Sequence, residues 1–226
     1  MAKPLRVMKK LLKFATLLFT AALAHADLVV EQKMESSFMN GNMVMKVKGE
    51  RARMDVPSPV GQTTVLMDMK TGDMTTLMHA QKMAMKMNMS DAKKAAEAQQ
   101  KATGIDFTKM APKATGSKEK VGEWNCDIYE MDMGNGMSSK MWVAKDYPNY
   151  KSIMEQMNKI NAAASAGMGM DPSKFDLGGM TVKTEVTTPL GKVVSTLVSA
   201  KEEAVADSEF VVPAGYNEMK MPNLNK

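Results

Sequence analysis

The stretch MDMKTGDMTTLMHAQKMAMKMNM, Met67–Met89, places methionine at alternate positions in successive short runs. A period of two is that of a β-strand, in which residues i, i+2 and i+4 point to one face. Most intervening residues, such as Asp68 and Lys86, are polar, as on the solvent face of an antiparallel sheet. Leu77 and Ala84 are the apolar exceptions on that outer face. The segment therefore predicts adjacent strands with one methionine-lined face and one polar face.

Two loops divide this segment into strands. Lys70–Asp73 has the residues of a four-residue hairpin loop, and His79–Lys82 has them more weakly. With these loops, Met74 lies opposite Met69 on one side and Met87 on the other, and directly opposed residues share a face. We expect this face to line a ligand-binding space formed by Met67, Met69, Met74, Met78, Met83, Met85 and Met87.

Residues 1–26 have the organisation of a secretory signal peptide. A basic start is followed by the apolar stretch Phe14–Leu23 and then by Ala24–Ala26, which has the A-x-A cleavage pattern. The apolar stretch is too short to span a bilayer permanently, and no cysteine follows the cleavage site to carry a lipid anchor. We therefore expect cleavage after Ala26, a single domain over residues 27–226, and a periplasmic or secreted protein.

Removal of this segment changes the charge of the chain. The full sequence has 30 Lys+Arg and 25 Asp+Glu, and the signal segment holds five of the basic residues and no acidic ones. The mature chain would then carry 25 of each sign and no net charge. Because there is no basic field to attract nucleic acid or an anionic membrane, we expect no nucleic-acid partner. We also expect a protein that is not integral to a membrane.

The mature chain offers few residues for catalysis. Its single cysteine, Cys126, lies in Trp124–Tyr129, which alternates like a strand, and free cysteines are usually packed structural thiols. His79 would be the one histidine left. The sequence contains no Gly-x-Ser-x-Gly, no His-Glu-x-x-His and no paired-cysteine motif. We therefore expect neither an enzyme, nor a cofactor, nor a conventional metal-ligand set.

The pattern of the remaining sequence predicts short strands interrupted by two helices. Asn40–Gly41 has the chemistry of a hairpin turn. Helices are predicted over Asp91–Thr103, with Ser90 as N-cap, and over Tyr150–Ala166, while residues 104–117 are loop-like. About ten mostly antiparallel strands with two helices on one face make an α+β fold.

Several segments resemble a bacterial family, the domain of unknown function 4412, within the superfamily of the LolA/LolB-type periplasmic lipoprotein carriers. They are Gly49–Asp55, Asp68 with Gly72, Val121–Gly122 with Cys126 and Tyr129, Met141–Ala144, and Phe210–Tyr216. The resemblance covers most of the mature chain, and its motifs are structural rather than catalytic.

This resemblance implies a single, strongly curved sheet, an incomplete barrel, with two helices packed on the concave side. In the carriers that concavity holds acyl chains. No acyl-binding or receptor-contacting residue of the carriers has a counterpart in this sequence. The resemblance therefore supports a lipid-carrier function at the level of the fold alone.

Three interpretations of the methionine face follow from its chemistry. It is a filled core, or an adaptable cavity for an apolar ligand or acyl chain that a cell-envelope partner could supply or receive, or a soft-metal site for Cu(I) or Ag(I). Further alternating pairs lie outside the segment, namely Met43/Met45, Met131/Met133, Met168/Met170 and Met219/Met221. We expect a non-enzymatic apolar-ligand carrier, with soft-metal binding as the alternative.

The signal peptide gives the first testable prediction. Exported protein should begin at Asp27 and occur in the soluble periplasmic or extracellular fraction, because the A-x-A pattern directs cleavage after Ala26. Amino-terminal sequencing of that fraction measures this directly. Recovery of the uncleaved chain from membranes would contradict the prediction.

Overall fold

A computed structural model of the chain describes residues 27–37, 39–91, 94, 97–98, 110–165 and 175–220. The strands of this part are β1 (Leu28–Ser36), β2 (Asn40–Lys48), β3 (Arg51–Ser58), β4 (Gly61–Asp68), β5 (Asp73–Met78), β6 (Met83–Asn88), β7 (Lys113–Val121), β8 (Trp124–Gly134), β9 (Met137–Ala144), β10 (Met180–Thr188), β11 (Gly191–Glu202) and β12 (Asn217–Lys220). Helix α1 spans Tyr150–Ser165, and two short 3-10 turns span His79–Gln81 and Asp207–Phe210. The described strands number twelve, rather than the ten or so expected.

All twelve strands belong to one sheet, in the order β12-β6-β5-β4-β3-β2-β1-β11-β10-β9-β8-β7. Every pairing is antiparallel except that of β12 with β6, which is parallel. Two runs of consecutive antiparallel strands, β1 to β6 and β7 to β11, are joined where β1 pairs with β11. The sheet is open, with β12 and β7 at its edges, and the prediction of a single, mostly antiparallel sheet is confirmed.

Strand β7 was not predicted, because residues 104–117 were expected to form a loop. It lies at an edge of the sheet, and each of its residues except Val121 is exposed. Its three lysines and the irregular register between Ala114 and Lys118 are features that discourage pairing with other chains. An edge strand without a buried face leaves no apolar alternation in the sequence to reveal it.

The first hairpin turns before Asn40–Gly41 rather than at it. β1 ends at Ser36 and β2 begins at Asn40, and Gly41 pairs with Met34 inside the ladder. Gly41 has a φ of +155°, and a Cβ added there would lie 2.9 Å from the Cβ of Pro57. Gly41 is therefore explained by its close contact with Pro57 of β3 rather than by a turn.

Helix α1 agrees with the predicted helix over Tyr150–Ala166. Its buried face carries Ile153 and Ile160, which are 2% and 4% exposed and belong to the main core cluster. Ser152 donates a hydrogen bond to Glu202, the cross-strand partner of Leu28. Because cross-strand partners share a face, α1 lies on the face that carries Leu28, here called the inner face.

The other predicted helix falls largely outside the described residues. Residues 89–91, 94, 97 and 98 are helical, and the remainder of Asp91–Thr103 is not described. The Asn88 side-chain oxygen accepts a hydrogen bond of 2.9 Å from the Ser90 N–H. This is the geometry of an N-cap, so Asn88 rather than Ser90 caps the helix.

The opposite, outer face of β2 and β3 carries four basic side chains, which alternate along the strands as Lys46, Lys48, Arg51 and Arg53. They hold the segment of residues 203–216, here called the C-terminal segment. Lys46 pairs with Glu209 at 3.0 Å, and Lys48 pairs with Asp207 at 3.4 Å. Arg53 donates to the Glu209 carbonyl at 2.9 Å. The segment therefore lies across the outer face.

A chain of hydrogen bonds fixes the end of this segment. Asp55, which is 6% exposed, accepts two bonds from Arg53 at 2.8 and 2.9 Å and one from the Thr64 hydroxyl. Because Thr64 donates its proton to Asp55, it accepts from Nε2–H of His79 at 2.7 Å. Nδ1 of His79 then accepts from the hydroxyl of Tyr216. His79 therefore lies on the outer face, away from the methionines.

The outer face of β4–β6 is therefore not the solvent face that the sequence predicts. Leu77 and Ala84 have no exposed surface, and Leu66 is 7% exposed. Val212 and Tyr216 of the C-terminal segment pack against them. The apolar exceptions in the alternating pattern form a second small core under this segment.

Cys126 is fully buried within the main core cluster, which also contains Ile128 and Ala144. Burial raises the pKa of its thiol above the ordinary value. The packed thiol expected from the sequence is confirmed.

We expect Cys126 to resist alkylation by iodoacetamide in the folded protein, because it is both buried and protonated. The same protein in denaturant is the control and should be labelled rapidly. Mass spectrometry of the alkylated cysteine measures both rates. Comparable rates in the two conditions would contradict the assignment.

The Arg53–Asp55 pair gives a prediction about stability. Asp55→Asn should lower the free energy of unfolding by about 3 kcal/mol, because Arg53 would lose the carboxylate that accepts two of its hydrogen bonds in a largely buried site. Arg53 would keep the Glu209 carboxylate, 3.6 Å away, as its anionic partner. Glu35→Gln, which removes an exposed ion pair with Lys33, should cost less than about 1 kcal/mol. Urea denaturation at neutral pH measures both.

The pH dependence of this difference follows from the titration of Asp55. Burial alone would raise the pKa of Asp55, but the hydrogen bonds from Arg53 and Thr64 outweigh it and hold the pKa below its usual value. The carboxylate therefore contributes its full stability above the unfolded pKa of about 4 and loses it as the pH falls through the folded value. The gap between wild type and Asp55→Asn should shrink in acid, and a constant gap would contradict this account.

Candidate functional site

The candidate site is the inner face of β4–β6, where the register brings the predicted methionines together. Met67, Met74 and Met87 form one row of directly opposed residues across the three strands. Met78 lies opposite Met83 in another row of the same face, nearer the other end of β5. The predicted pairing of β5 with β6 is confirmed.

The predicted pairing of β4 with β5 is wrong by two residues, since Met67 rather than Met69 lies opposite Met74. The Asp68 carboxylate accepts hydrogen bonds of 2.9 and 3.0 Å from the N–H groups of Lys70 and Thr71, which closes the loop one residue earlier than expected. Two residues are one full strand period, so this shift leaves the same side chains on the inner face. Met69 lies in the loop and still packs against the main core cluster.

Burial differs sharply between the two faces of these strands. All seven predicted methionines are half-buried. On the outer face, Thr64, Leu66, Thr75, Leu77 and Ala84 are buried. The protein's own chain thus closes the outer face, while the inner face keeps accessible apolar surface.

The methionine face extends beyond the segment that predicted it. Met45 lies opposite Met54 on β2 and β3, and Met85 lies opposite Met219 of β12. Met45 is 8% exposed and Met219 is 49% exposed, so burial falls toward the edge strand. The pairs Met43/Met45 and Met219/Met221 were visible in the sequence as alternation, but the position of Met45 and Met219 beside the patch depends on the order of the strands.

The inner face of β4–β6 carries no charged side chain within the described strands. Its members are Thr63, Val65, Met67, Met74, Thr76, Met78, Met83, Met85 and Met87. The charged residues Asp68, Asp73 and Lys86 alternate onto the outer face. The inner face is therefore apolar and polarizable, and it offers no side chain for acid–base catalysis.

The described residues contain no cluster of three or more His, Cys, Asp or Glu side chains arranged to hold a metal ion. His79 is engaged on the outer face by Thr64 and Tyr216. Among the same residues, no helix is both long and apolar enough to cross a membrane. The thioether groups of methionine are therefore the main chemical groups that the inner face of β4–β6 offers to a ligand.

Two solved structures of bacterial proteins are similar to this chain. An uncharacterized conserved protein from Thermus thermophilus is similar over 87% of this chain and 91% of its own, with 4% identity and a TM-score of 0.53. A LolA superfamily protein from Nitrosomonas europaea is similar over 82% of this chain and 89% of its own, with 10% identity and a TM-score of 0.27. The Thermus thermophilus structure shows that the fold is shared.

PNGF-II is similar over 87% of this chain, with 13% identity and a TM-score of 0.41. This chain spans only 31% of the length of PNGF-II. No protein with a curated description matches the sequence.

The family model that matches the chain is that of the domain of unknown function DUF4412, over residues 23–216. This span includes all the strands of the sheet except β12, and it includes the candidate site. The chain belongs to the DUF4412 family.

Proposed function

We propose that this chain is an exported, non-enzymatic protein that binds an apolar ligand, such as the acyl chain of a lipid or lipoprotein, on its methionine-lined inner face. The observation that carries this proposal is the unequal burial of the two faces of β4–β6. The C-terminal segment packs over Leu77 and Ala84, which are completely buried, whereas the methionines opposite remain half-buried. A folded domain seldom leaves contiguous apolar surface accessible unless that surface binds something.

The chemistry of the face suits a flexible apolar guest. Methionine side chains are unbranched and have three rotatable bonds, so they can conform to an acyl chain whose shape varies. The absence of charge on the inner face of β4–β6 removes the desolvation cost that a lysine or carboxylate would add. The resemblance to the LolA/LolB-type carriers, in which acyl chains occupy the concave side, gives the class of ligand.

Curvature of the sheet would turn this face into a concavity. The main core cluster joins Met45 and Ala52 of β2 and β3 to Cys126 and Ile128 of β8, although four other strands lie between β2 and β8 in the sheet. Ile153 of α1 belongs to the same cluster. A sheet bent around α1 accounts for this arrangement and supports the proposal of an incomplete barrel with a helix on its concave side.

Export of the protein is supported by the signal-like residues 1–26 and by the contacts of the residue that follows them. Asp27, the expected first residue of the mature chain, accepts hydrogen bonds from the N–H groups of Val205 and Glu203. Lys48 lies 3.6 Å from its carboxylate. The expected first residue of the mature chain is therefore already held by the folded domain.

A charge placed on the inner face tests the proposal. Met85→Lys should abolish uptake of a fluorescent fatty acid, because an unpaired ammonium group on this face would have to be desolvated when the acyl chain binds. A quadruple variant with leucine at Met74, Met83, Met85 and Met87 should retain uptake, because leucine keeps the size and apolarity at a cost below about 1.5 kcal/mol per site. Fluorescence titration measures binding, and circular dichroism shows whether each variant is folded.

Met133→Lys is the matched control, because Met133 is also half-buried but lies at the β8–β9 turn in the other half of the sheet. It should bind the fatty acid as the wild type does. Unchanged uptake in a folded Met85→Lys variant, or no uptake by the wild type, would overturn the proposal.

A further inference from the structure

One row of the inner face differs from the others in its chemistry. Met67, Met74 and Met87 are directly opposed on three adjacent strands, with no other residue between them. The neighbouring row is interrupted, because Val65 and Thr76 lie between Met54 and Met85. Within the described strands, this is the one place where three thioethers are consecutive across the sheet.

The spacing of this row allows the three sulfur atoms to converge. Directly opposed residues have Cβ atoms about 5 Å apart, so the outer two members, Met67 and Met87, are separated by about 10 Å at Cβ. Rotation about the Cα–Cβ and Cβ–Cγ bonds moves the sulfur of each outer side chain, so both can lean over Met74. Three sulfur atoms can therefore meet above the central strand without movement of the backbone.

The surroundings favour a soft monovalent cation at this point. Thioethers are neutral, bind Cu(I) by their softness and need no deprotonation. The inner face of β4–β6 holds no lysine or arginine, within the described strands, that would repel a cation. The three methionines are half-buried, which leaves an approach from solvent while shielding a bound ion.

We propose that Met67, Met74 and Met87 form a three-thioether site for Cu(I). This site lies on the same face as the proposed apolar-ligand site, but Cu(I) binding depends on the sulfur atoms rather than on the apolar surface. It uses none of the His, Cys, Asp or Glu side chains that usually identify metal sites.

The test is competition between the mature protein and the Cu(I) chelator bicinchoninate under anaerobic, reducing conditions. The wild type should withdraw one Cu(I) per chain, and X-ray absorption should show a first shell of sulfur alone. Met74→Leu removes the central donor and should weaken Cu(I) binding by about tenfold or more, because leucine has no donor atom. Met87→Leu is a second variant with the same expected loss.

Met131→Leu is the control, because this half-buried methionine of β8 lies opposite Ser139 and has no methionine in its row on that side. Its affinity for Cu(I) should stay within about twofold of that of the wild type, because no thioether of the proposed site is removed. A wild type that withdraws no Cu(I), an oxygen or nitrogen ligand in the first shell, or equal weakening in Met131→Leu would each overturn the site. Fatty-acid uptake by the wild type is measured separately in the absence of copper, so failure of the metal site and failure of the apolar-ligand function are distinguished.

Discussion

The attachment of the C-terminal segment to the outer face is the constraint on which the rest of the structure depends. Leu66, Leu77 and Ala84 form an apolar patch on that face, and residues 203–216 cover it. Most ion pairs that hold the segment are partly exposed and contribute little individually. The Arg53–Asp55 pair lies within β3, is bidentate and largely buried, and its oxygen acceptors are satisfied by Arg53 and Thr64. It fixes the guanidinium that donates to the Glu209 carbonyl of the segment.

Closure of one face determines the role of the other. Each strand presents alternate residues to opposite faces, so a cover on the outer face leaves the methionines as the surface available to other molecules. A register shift of one residue would exchange the two sets of side chains. The loop after β4 prevents this, because Asp68 binds two backbone N–H groups and Gly72 adopts a φ of +73°. A short local turn thus decides which chemistry the sheet displays.

The sequence predicted what is encoded locally. The pairing of β5 with β6 follows from a short loop and a strict alternation of methionine, and α1 follows from its apolar stripe. The fold class follows from the same patterns, while the family resemblance supplied the expected curvature. The inner-face location of the methionines was predicted correctly despite a two-residue error in the pairing of β4 with β5, because two residues are one strand period.

Features that depend on distant parts of the chain were not predictable in this way. Leu77 and Ala84 were exceptions on a predicted solvent face, since their covering residues, Val212 and Tyr216, lie more than a hundred positions later. Strand β7 has no buried face and therefore no apolar pattern.

The choice of methionine over leucine is the part of this face that burial alone does not explain. Leucine would provide a similar apolar surface, and strands favour β-branched and aromatic residues over both. Methionine adds flexibility, which serves a guest of variable shape, and sulfur, which serves a soft cation. Flexibility is useful anywhere on the face, whereas sulfur coordination requires several donors to be adjacent. The uninterrupted row of Met67, Met74 and Met87 meets that second requirement, and the row containing Val65 and Thr76 does not. Within the inner face of β4–β6, this row therefore suits both uses, whereas the row containing Val65 and Thr76 suits only an apolar guest.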